Sequence, residues 1–170
     1  MAVEVEEYKK AISRFATGVA VIATAHRGRL AGMTANALFS LSLSPPSIVL
    51  SMQKDAESTM LIGESRKAAI SFLSSGQRDV SELFAKRDST AEKFSSGKHH
   101  LGGNGQPIID GSISALEVDV SEMFPAADHL LLVCHVTGIA HFNDELPLIY
   151  WGSGYASESG SRSVRLPEPR

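Results

Sequence analysis

The residues of this sequence best suited to ligand chemistry form a run of small and polar side chains, Gly32-Met33-Thr34-Ala35-Asn36-Ala37. The run follows a strand-like segment at 18–25. A second predicted strand, at 47–53, ends soon afterwards in Ser51-Met52-Gln53. Thr and Asn side chains, with neighbouring backbone amides, can hydrogen-bond the carbonyl oxygens and ring nitrogens of a flat polar ring. We therefore interpret this region as a flavin site.

Thr34 and Asn36 also have an ordinary structural explanation. Such residues border half-buried strands and hydrogen-bond local backbone, and both types serve turns. Taken alone, the two residues favour this structural role. Taken with the pattern around them, they favour the flavin.

A second polar pair, Ser58-Thr59, falls in the first turn of a helix predicted over about 56–64, with Asp55 as its expected N-cap. Free backbone N–H groups and the helix dipole attract phosphate at such a position. An ordinary helix cap explains the same residues, and capping can coexist with phosphate binding. Additional positive charge is expected from Lys54, Arg66 or Lys67.

Composition restricts the class of protein. A chain of 170 residues with 43% hydrophobic and 21% charged residues fits one soluble domain with a substantial core. Its formal net charge of -3 provides no basic footprint for nucleic acid. The N-terminus lacks a signal peptide. No apolar run approaches the ~20 residues of a membrane helix. The single cysteine, Cys134, cannot form an internal disulfide. We expect a cytoplasmic protein.

The hydrophobic pattern predicts mainly strands, without the regular crossover helices that a parallel sheet requires. The predicted strands lie at 18–25, 30–42, 47–53, 68–73, 112–122, 129–142 and 148–151. Short helices are expected over 5–16, over 56–64 and after a cap at Ser74 and Ser75. The polar segment 86–106 is expected to be a surface excursion. We predict one mainly β domain over 1–156, an antiparallel barrel with peripheral helices, and a loosely ordered tail over 157–170.

The histidines are not spaced as metal ligands. His99-His100 lie in a polar stretch, Cys134-His135 alternate across a strand, and His26 and His141 have no partner at ligand spacing. The sequence predicts no metal site.

Several further motifs, in order and at characteristic spacing, resemble the short-chain flavin reductases, the reductase components of two-component flavin-dependent monooxygenases. The resemblance runs from about residue 12 to 155 and implies a flavin-binding split barrel. The matching segments are 14–19, 32–37, 42–46, 58–59, 77–85, 93–94, 105–111, 115–117, 128–129 and 147–155.

The resemblance also implies roles for individual residues. It places flavin contacts at Met33, Thr34, Ala35, Asn36, Ser51, Met52, Gln53, Ser58 and Thr59. It places the catalytic residue His129 beside the nicotinamide donor, although a half-exposed histidine at a strand end is the ordinary explanation. The family usually has Gly-Asp-His where this chain has Ala127-Asp128-His129, and Gly adopts backbone angles that Ala avoids.

The resemblance implies an NADH-dependent reductase that transfers a hydride to FAD or FMN and supplies reduced flavin to a separate monooxygenase. It also implies a homodimer. The alternatives are a flavin-binding carrier or sensor with little turnover, and an enzyme that keeps its flavin and oxidises a small substrate. The choice between FAD and FMN stays open. No Arg cluster follows Asp128 in sequence to receive a 2′-phosphate, which favours NADH over NADPH.

Overall fold

A computed structural model describes residues 3–87 and 90–156, and the predicted tail over 157–170 lies outside these ranges. The helices within them are α1 Val5–Ile12, α2 Glu57–Ser65, α3 Arg78–Ala85 and α4 Thr90–Ser95. The strands are β1 Thr17–Gly18, β2 Ala20–His26, β3 Arg29–Ala35, β4 Leu38–Leu43, β5 Pro46–Gln53, β6 Lys67–Phe72, β7 His99–Leu101, β8 Pro107–Ile109, β9 Ser114–Ala126, β10 His129–His141, β11 Ile149–Trp151 and β12 Gly154–Tyr155. None of the described helices has the length and apolar character needed to cross a membrane.

Seven strands form one antiparallel sheet in the order β3-β2-β6-β9-β10-β5-β4. The two edge strands, β3 and β4, follow one another in the chain and are joined by Asn36 and Ala37. At this corner the Ser51 N–H donates to the Ala37 carbonyl over 2.9 Å. The sheet therefore curls until its edges meet, and the predicted antiparallel barrel with short helices is confirmed.

Strand β2 is buried on both faces. Ala20 and Ile22 join the barrel interior, while Val21 packs in a second cluster with Phe84 of α3 and Phe94 of α4. Successive side chains of a strand point to opposite faces, so an apolar run without alternation requires cover on both sides. Helices α3 and α4 supply that cover outside the barrel.

The structure corrects two of the predicted boundaries. The expected strand over 30–42 is two strands, because the backbone of Asn36 and Ala37 turns away from β3 to bond β5. Helix α1 ends at Ile12 rather than at residue 16. Beyond it the chain is held by Trp151, whose indole N–H donates to the Arg14 carbonyl over 3.2 Å and whose ring faces the Arg14 guanidinium.

The predicted helix caps were wrong in both cases. Helix α2 has Ala56 rather than Asp55 at its N-cap, with no side-chain hydrogen bond there. Helix α3 has Gln77 at its N-cap. The Gln77 amide oxygen instead accepts the Ser74 N–H over 3.0 Å and its nitrogen donates to the Asp110 carbonyl over 2.8 Å, so this buried side chain holds a loop in place.

The segment 86–106 is not merely a surface excursion. Within it, Lys93 and Phe94 of α4 are 7% and 8% exposed, and Gln106 is also buried. The Phe94 ring meets the Phe84 ring edge-on, with centroids 5.2 Å apart. This aromatic contact fastens α4 to α3, so a segment that is polar overall completes the second core.

A carboxylate closes the glycine-rich loop that ends this segment. The Glu117 side chain accepts the Asn104 N–H over 3.1 Å. A Cβ atom on Gly102 would lie 1.8 Å from the Glu117 Oε1, and one on Gly138 would lie 2.3 Å from its Oε2. The carboxylate occupies the space that these two glycines leave empty.

Strands β9 and β10 are joined by a two-residue turn at Ala127 and Asp128, closed by the pair Ala126 and His129. Ala127 has a φ of 50°, in the left-handed region that costs an L-residue about 1 kcal/mol or more. We expect Ala127→Gly to raise the free energy of unfolding by about 0.5–1 kcal/mol, measured by chemical denaturation, because relief of this strain exceeds the added chain entropy. The control Ala126→Gly lies in regular strand and should destabilise. Equal effects of the two changes would contradict the strain.

Candidate functional site

A large cavity of about 1020 Å³ opens where α1 passes the corner between β3 and β4. It is lined mainly by apolar side chains. They come from α1, from the segment between α1 and β2, and from β2, β4, β6 and β11: Ile12, Phe15, Ala16, Val19, Ala20, Leu38, Phe39, Phe72 and Tyr150. Asn36 and Ser51 add polar side chains to this lining. The cavity suits a planar, largely apolar ring system that needs a few hydrogen bonds at its edge.

A smaller cavity of about 280 Å³ lies below the N-terminus of α2 and is rich in charge. Cationic and acidic side chains both line it, together with Gly32 and the start of α2. The charged residues are Lys86, Arg87, Lys93, Asp55 and Glu57. Its cations and the start of α2 suit an anionic group such as a phosphate.

The two cavities are neighbours along the chain. Thr34 lines the small cavity and Asn36, two residues later, lines the large one. On β5 the order along the chain is reversed, since Ser51 lines the large cavity and Gln53, two residues later, lines the small one. Ser51 and Gln53 share a face of β5, because they are two residues apart on that strand. An elongated molecule with a ring at one end and an anionic group at the other fits this arrangement.

The structure separates the predicted cofactor-binding residues into three groups. Met33, Thr34, Gln53 and Ser58 line the small cavity. Asn36 and Ser51 line the large one. Ala35, Met52 and Thr59 are buried and line neither cavity. The Thr59 hydroxyl has no hydrogen-bond partner in the described part of the chain.

Both predicted ring contacts already donate one hydrogen bond within the chain. The Thr34 hydroxyl donates to the Ser81 carbonyl over 2.6 Å, and the Asn36 amide nitrogen donates to the Thr17 hydroxyl over 3.1 Å. Each side chain still offers oxygen, since a hydroxyl and an amide oxygen have further lone pairs. Thr34 therefore suits an N–H of a ligand, whereas Asn36 keeps a second N–H and can also donate to a carbonyl.

Lys93 is the site residue that sequence reasoning missed as a binding group. Its ammonium lines the small cavity and donates to the Gly32 carbonyl over 3.1 Å. Burial lowers its pKa from the ordinary 10.5, and the nearby charge of Glu57 partly opposes this. No ion pair joins it to a carboxylate among residues 3–87 and 90–156. A lysine is seldom so buried without a counter-charge.

The cations predicted to help Ser58 lie elsewhere. Arg66 follows the C-terminal end of α2, the opposite end from Ser58, and Lys67 begins β6 beyond it. The Lys54 ammonium donates to the Ala127 carbonyl over 2.5 Å. The positive charge beside Ser58 comes from Lys93, which only the packing of Phe94 brings inward.

His129 lies next to the small cavity without lining it. Its Cα is paired across β5 and β10 with Gln53, which does line that cavity. The His129 Nδ1 lies 2.8 Å from the Asp128 carboxylate, and this hydrogen bond is the main cause that lowers the pKa of Asp128. Because a carboxylate only accepts, the proton is on Nδ1. The Nε2 atom is then the one presented to a ligand.

The described residues provide neither a metal site nor a reactive thiol. Among the described residues, no set of three or more His, Cys, Asp and Glu side chains is arranged to hold a metal ion. Cys134 is fully buried in the barrel, and burial raises the pKa of its thiol to about 12. Such a thiol is not a nucleophile at neutral pH.

Residues 12–159 match the protein family described as the flavin reductase like domain. The chain belongs to this family. Flavin reductase-like relatives include the reductase component of 4-hydroxyphenylacetate 3-monooxygenase from Thermus thermophilus, 31% identical over 150 residues that cover 88% of this chain and 94% of that protein. The FMN reductase (NADH) RutF of Pseudomonas syringae pv. syringae is 31% identical over 148 residues, covering 87% and 83%.

Among solved structures of this flavin reductase-like fold, flavin reductase PheA2 superposes with a TM-score of 0.80 and 30% identity. The match covers 91% of this chain and 97% of that chain. The resemblance predicted from the sequence motifs is thereby confirmed for the family and for the fold.

Proposed function

We propose that this protein is an NADH-dependent flavin reductase that transfers a hydride from a dihydronicotinamide to FAD or FMN. The observation that carries the proposal is the buried Lys93 ammonium beside the N-terminus of α2. A buried cation that forms no ion pair within 4 Å among the described residues, next to a helix N-terminus, is suited to a phosphate. The adjoining apolar cavity is suited to the ring of the same molecule.

The residues present fit a flavin. Lys93 and Ser58 would hold its phosphate, Thr34 and Gln53 would line its sugar chain, and Asn36 and Ser51 would hydrogen-bond its ring. When bound, the flavin supplies N5 as the hydride acceptor. The chain has then to bind, orient and shield the two rings, and the apolar walls of the large cavity exclude water from them.

His129 would orient the nicotinamide donor. With Nδ1 bonded to Asp128, the imidazole presents Nε2 to the donor molecule, where it can hydrogen-bond a polar group such as the nicotinamide carboxamide. The Asp128 carboxylate fixes the ring orientation, so this contact needs no further ordering of the side chain. The name of the Pseudomonas syringae relative, FMN reductase (NADH), supports NADH as the donor.

A turnover experiment tests the proposal. Purified protein is mixed with NADH and an excess of free FMN or FAD, and the absorbance of the reduced nicotinamide is followed. A reductase consumes many equivalents of NADH per chain. Consumption of one equivalent or less would favour the alternative, a flavin-binding carrier or sensor.

The role of His129 gives a prediction of its own. His129→Ala should lower kcat/KM for NADH by about tenfold, because one positioning hydrogen bond to the donor is lost. Flavin affinity, measured by fluorescence quenching, should stay within twofold. The control is His141→Ala, which removes an exposed histidine from the opposite end of the same strand. If the two variants give the same steady-state constants, His129 is an ordinary residue of the strand end.

We further propose a partner monooxygenase that receives the reduced flavin, and a homodimer. The name of the Thermus thermophilus relative, a monooxygenase reductase component, supports the first. Exposed apolar side chains support the second, since Val5, Tyr8 and Ile12 of α1 are 63%, 60% and 50% exposed and α1 buries no residue. Sedimentation of the purified protein would give its oligomeric state.

A further inference from the structure

The mouth of the small cavity carries a second cationic group beyond Lys93. Helix α3 ends at Ala85, and the next two residues, Lys86 and Arg87, line the cavity and are exposed. Lys93 lines the same cavity from its buried side. The cations are therefore arranged from inside to outside, with a buried ammonium first and a guanidinium at the opening.

Arg87 is held toward the opening rather than used in an ion pair. Its Nη2 donates to the Gln53 side-chain oxygen over 3.4 Å, a long and weak hydrogen bond. No salt bridge involves Arg87 among the residues that the structure describes. A guanidinium donates two parallel hydrogen bonds to phosphate oxygens, which an ammonium cannot do.

The acidic residues of the cavity do not cancel this charge. Asp55 and Glu57 line it together with three cations, Lys86, Arg87 and Lys93. The Glu57 carboxylate lies 3.7 Å from Arg29, a fourth cation on β3. Arg29 also lies 4.0 Å from the Glu64 carboxylate, so the local balance stays only slightly positive, and the mouth of the cavity suits one further anionic group beside Arg87.

We propose that Arg87 binds the second phosphate of a flavin dinucleotide, so that the protein holds FAD more tightly than FMN. The inference rests on the proposed flavin site, in which Lys93 and Ser58 hold the phosphate that FMN and FAD share. It adds that the mouth of the small cavity is a diphosphate subsite. The diphosphate of NADH is the other possible source of the same chemistry, and the test separates the two.

Calorimetric titration with riboflavin, FMN and FAD tests the assignment in the parent protein, in Arg87→Gln and in a matched control. The control is Arg27→Gln. It removes a cation from the turn between β2 and β3, which is at the opposite end of β3 from the corner with β4. The parent should bind FAD about tenfold more tightly than FMN, since one charge-assisted contact is added. Arg87→Gln should remove this difference by weakening FAD alone, and Arg27→Gln should preserve it.

Three outcomes overturn the inference. Equal affinities of the parent for FAD and FMN show that no second phosphate is bound. A loss in Arg87→Gln that is equal for FMN and FAD places Arg87 on the shared phosphate. An increase in the Michaelis constant for NADH, with flavin affinities unchanged, assigns the subsite to the hydride donor. Failure of the proposed flavin site is distinct from all three, because the parent would then bind none of the flavins, and failure of the reductase activity alone is read separately from the NADH turnover experiment.

Discussion

Lys93→Met should weaken FMN binding by about 10- to 100-fold, because a charge-assisted hydrogen bond to phosphate contributes about 1.5–3 kcal/mol. Riboflavin, which lacks the phosphate, should bind the variant and the parent equally. Calorimetric titration of both flavins measures the two effects. The comparison isolates the contact with the phosphate from any change in the shape of the cavity.

The same substitution should hardly change the stability of the free protein. Burial disfavours the charged form of Lys93, and its replacement by an apolar side chain of similar length removes that cost. Loss of the hydrogen bond to the Gly32 carbonyl opposes this gain, so we expect the free energy of unfolding without ligand to change by no more than about 1 kcal/mol. The exposed Lys98 gives the control Lys98→Met, for which neither affinity nor stability should change. Loss of riboflavin affinity equal to that of FMN would show that Lys93 shapes the cavity instead.

The second large effect is on stability. Gly102→Ala should lower the free energy of unfolding by about 2–3 kcal/mol, because its Cβ would lie 1.8 Å from the Glu117 Oε1 and 2.8 Å from the Ile108 Cδ1. Glu117 can move aside only by losing its hydrogen bond to the Asn104 N–H. Chemical denaturation of the variant measures the cost.

Two companion variants test whether the contact with Glu117 causes the destabilisation by Gly102→Ala. Gly103→Ala lies in the same loop, where an added Cβ would be 3.3 Å from the nearest atom, so its cost should be under 1 kcal/mol. In a Glu117→Ala background, Gly102→Ala should lose most of its effect, because the obstacle is gone. An unchanged cost in that background would assign the effect to the loop backbone.

The fold could be predicted because it depends on local patterns. Alternation and apolar runs, such as 129–142, mark strands directly, and the absence of crossover helices limits the sheet to an antiparallel one. The corner at Asn36 and Ala37 could not be predicted, because no Gly or Pro between residues 33 and 44 marks a turn there. Only the hydrogen bond from β5, formed by a residue 14 positions away from Ala37, fixes the turn.

The site could be predicted in part for the same reason. Thr34 and Asn36 are recognisable as polar residues beside a strand, but the partners of their protons come from distant segments; Ser81, for example, lies 47 residues from Thr34. Lys93 lies in a polar segment, and its burial follows from the contact between Phe94 and Phe84. A charge that binds a ligand because it is buried cannot be identified before the burial is known.

The contact between Trp151 and Arg14 gives the protein an internal optical signal. Trp151 is the single tryptophan of the chain, and its neighbour Tyr150 lines the large cavity. Indole emission overlaps the absorption of an isoalloxazine ring, so a ring in that cavity would take up the excitation energy of this one indole. Occupancy of the cavity can therefore be followed through the emission of the unmodified chain, without a label on the buried thiol.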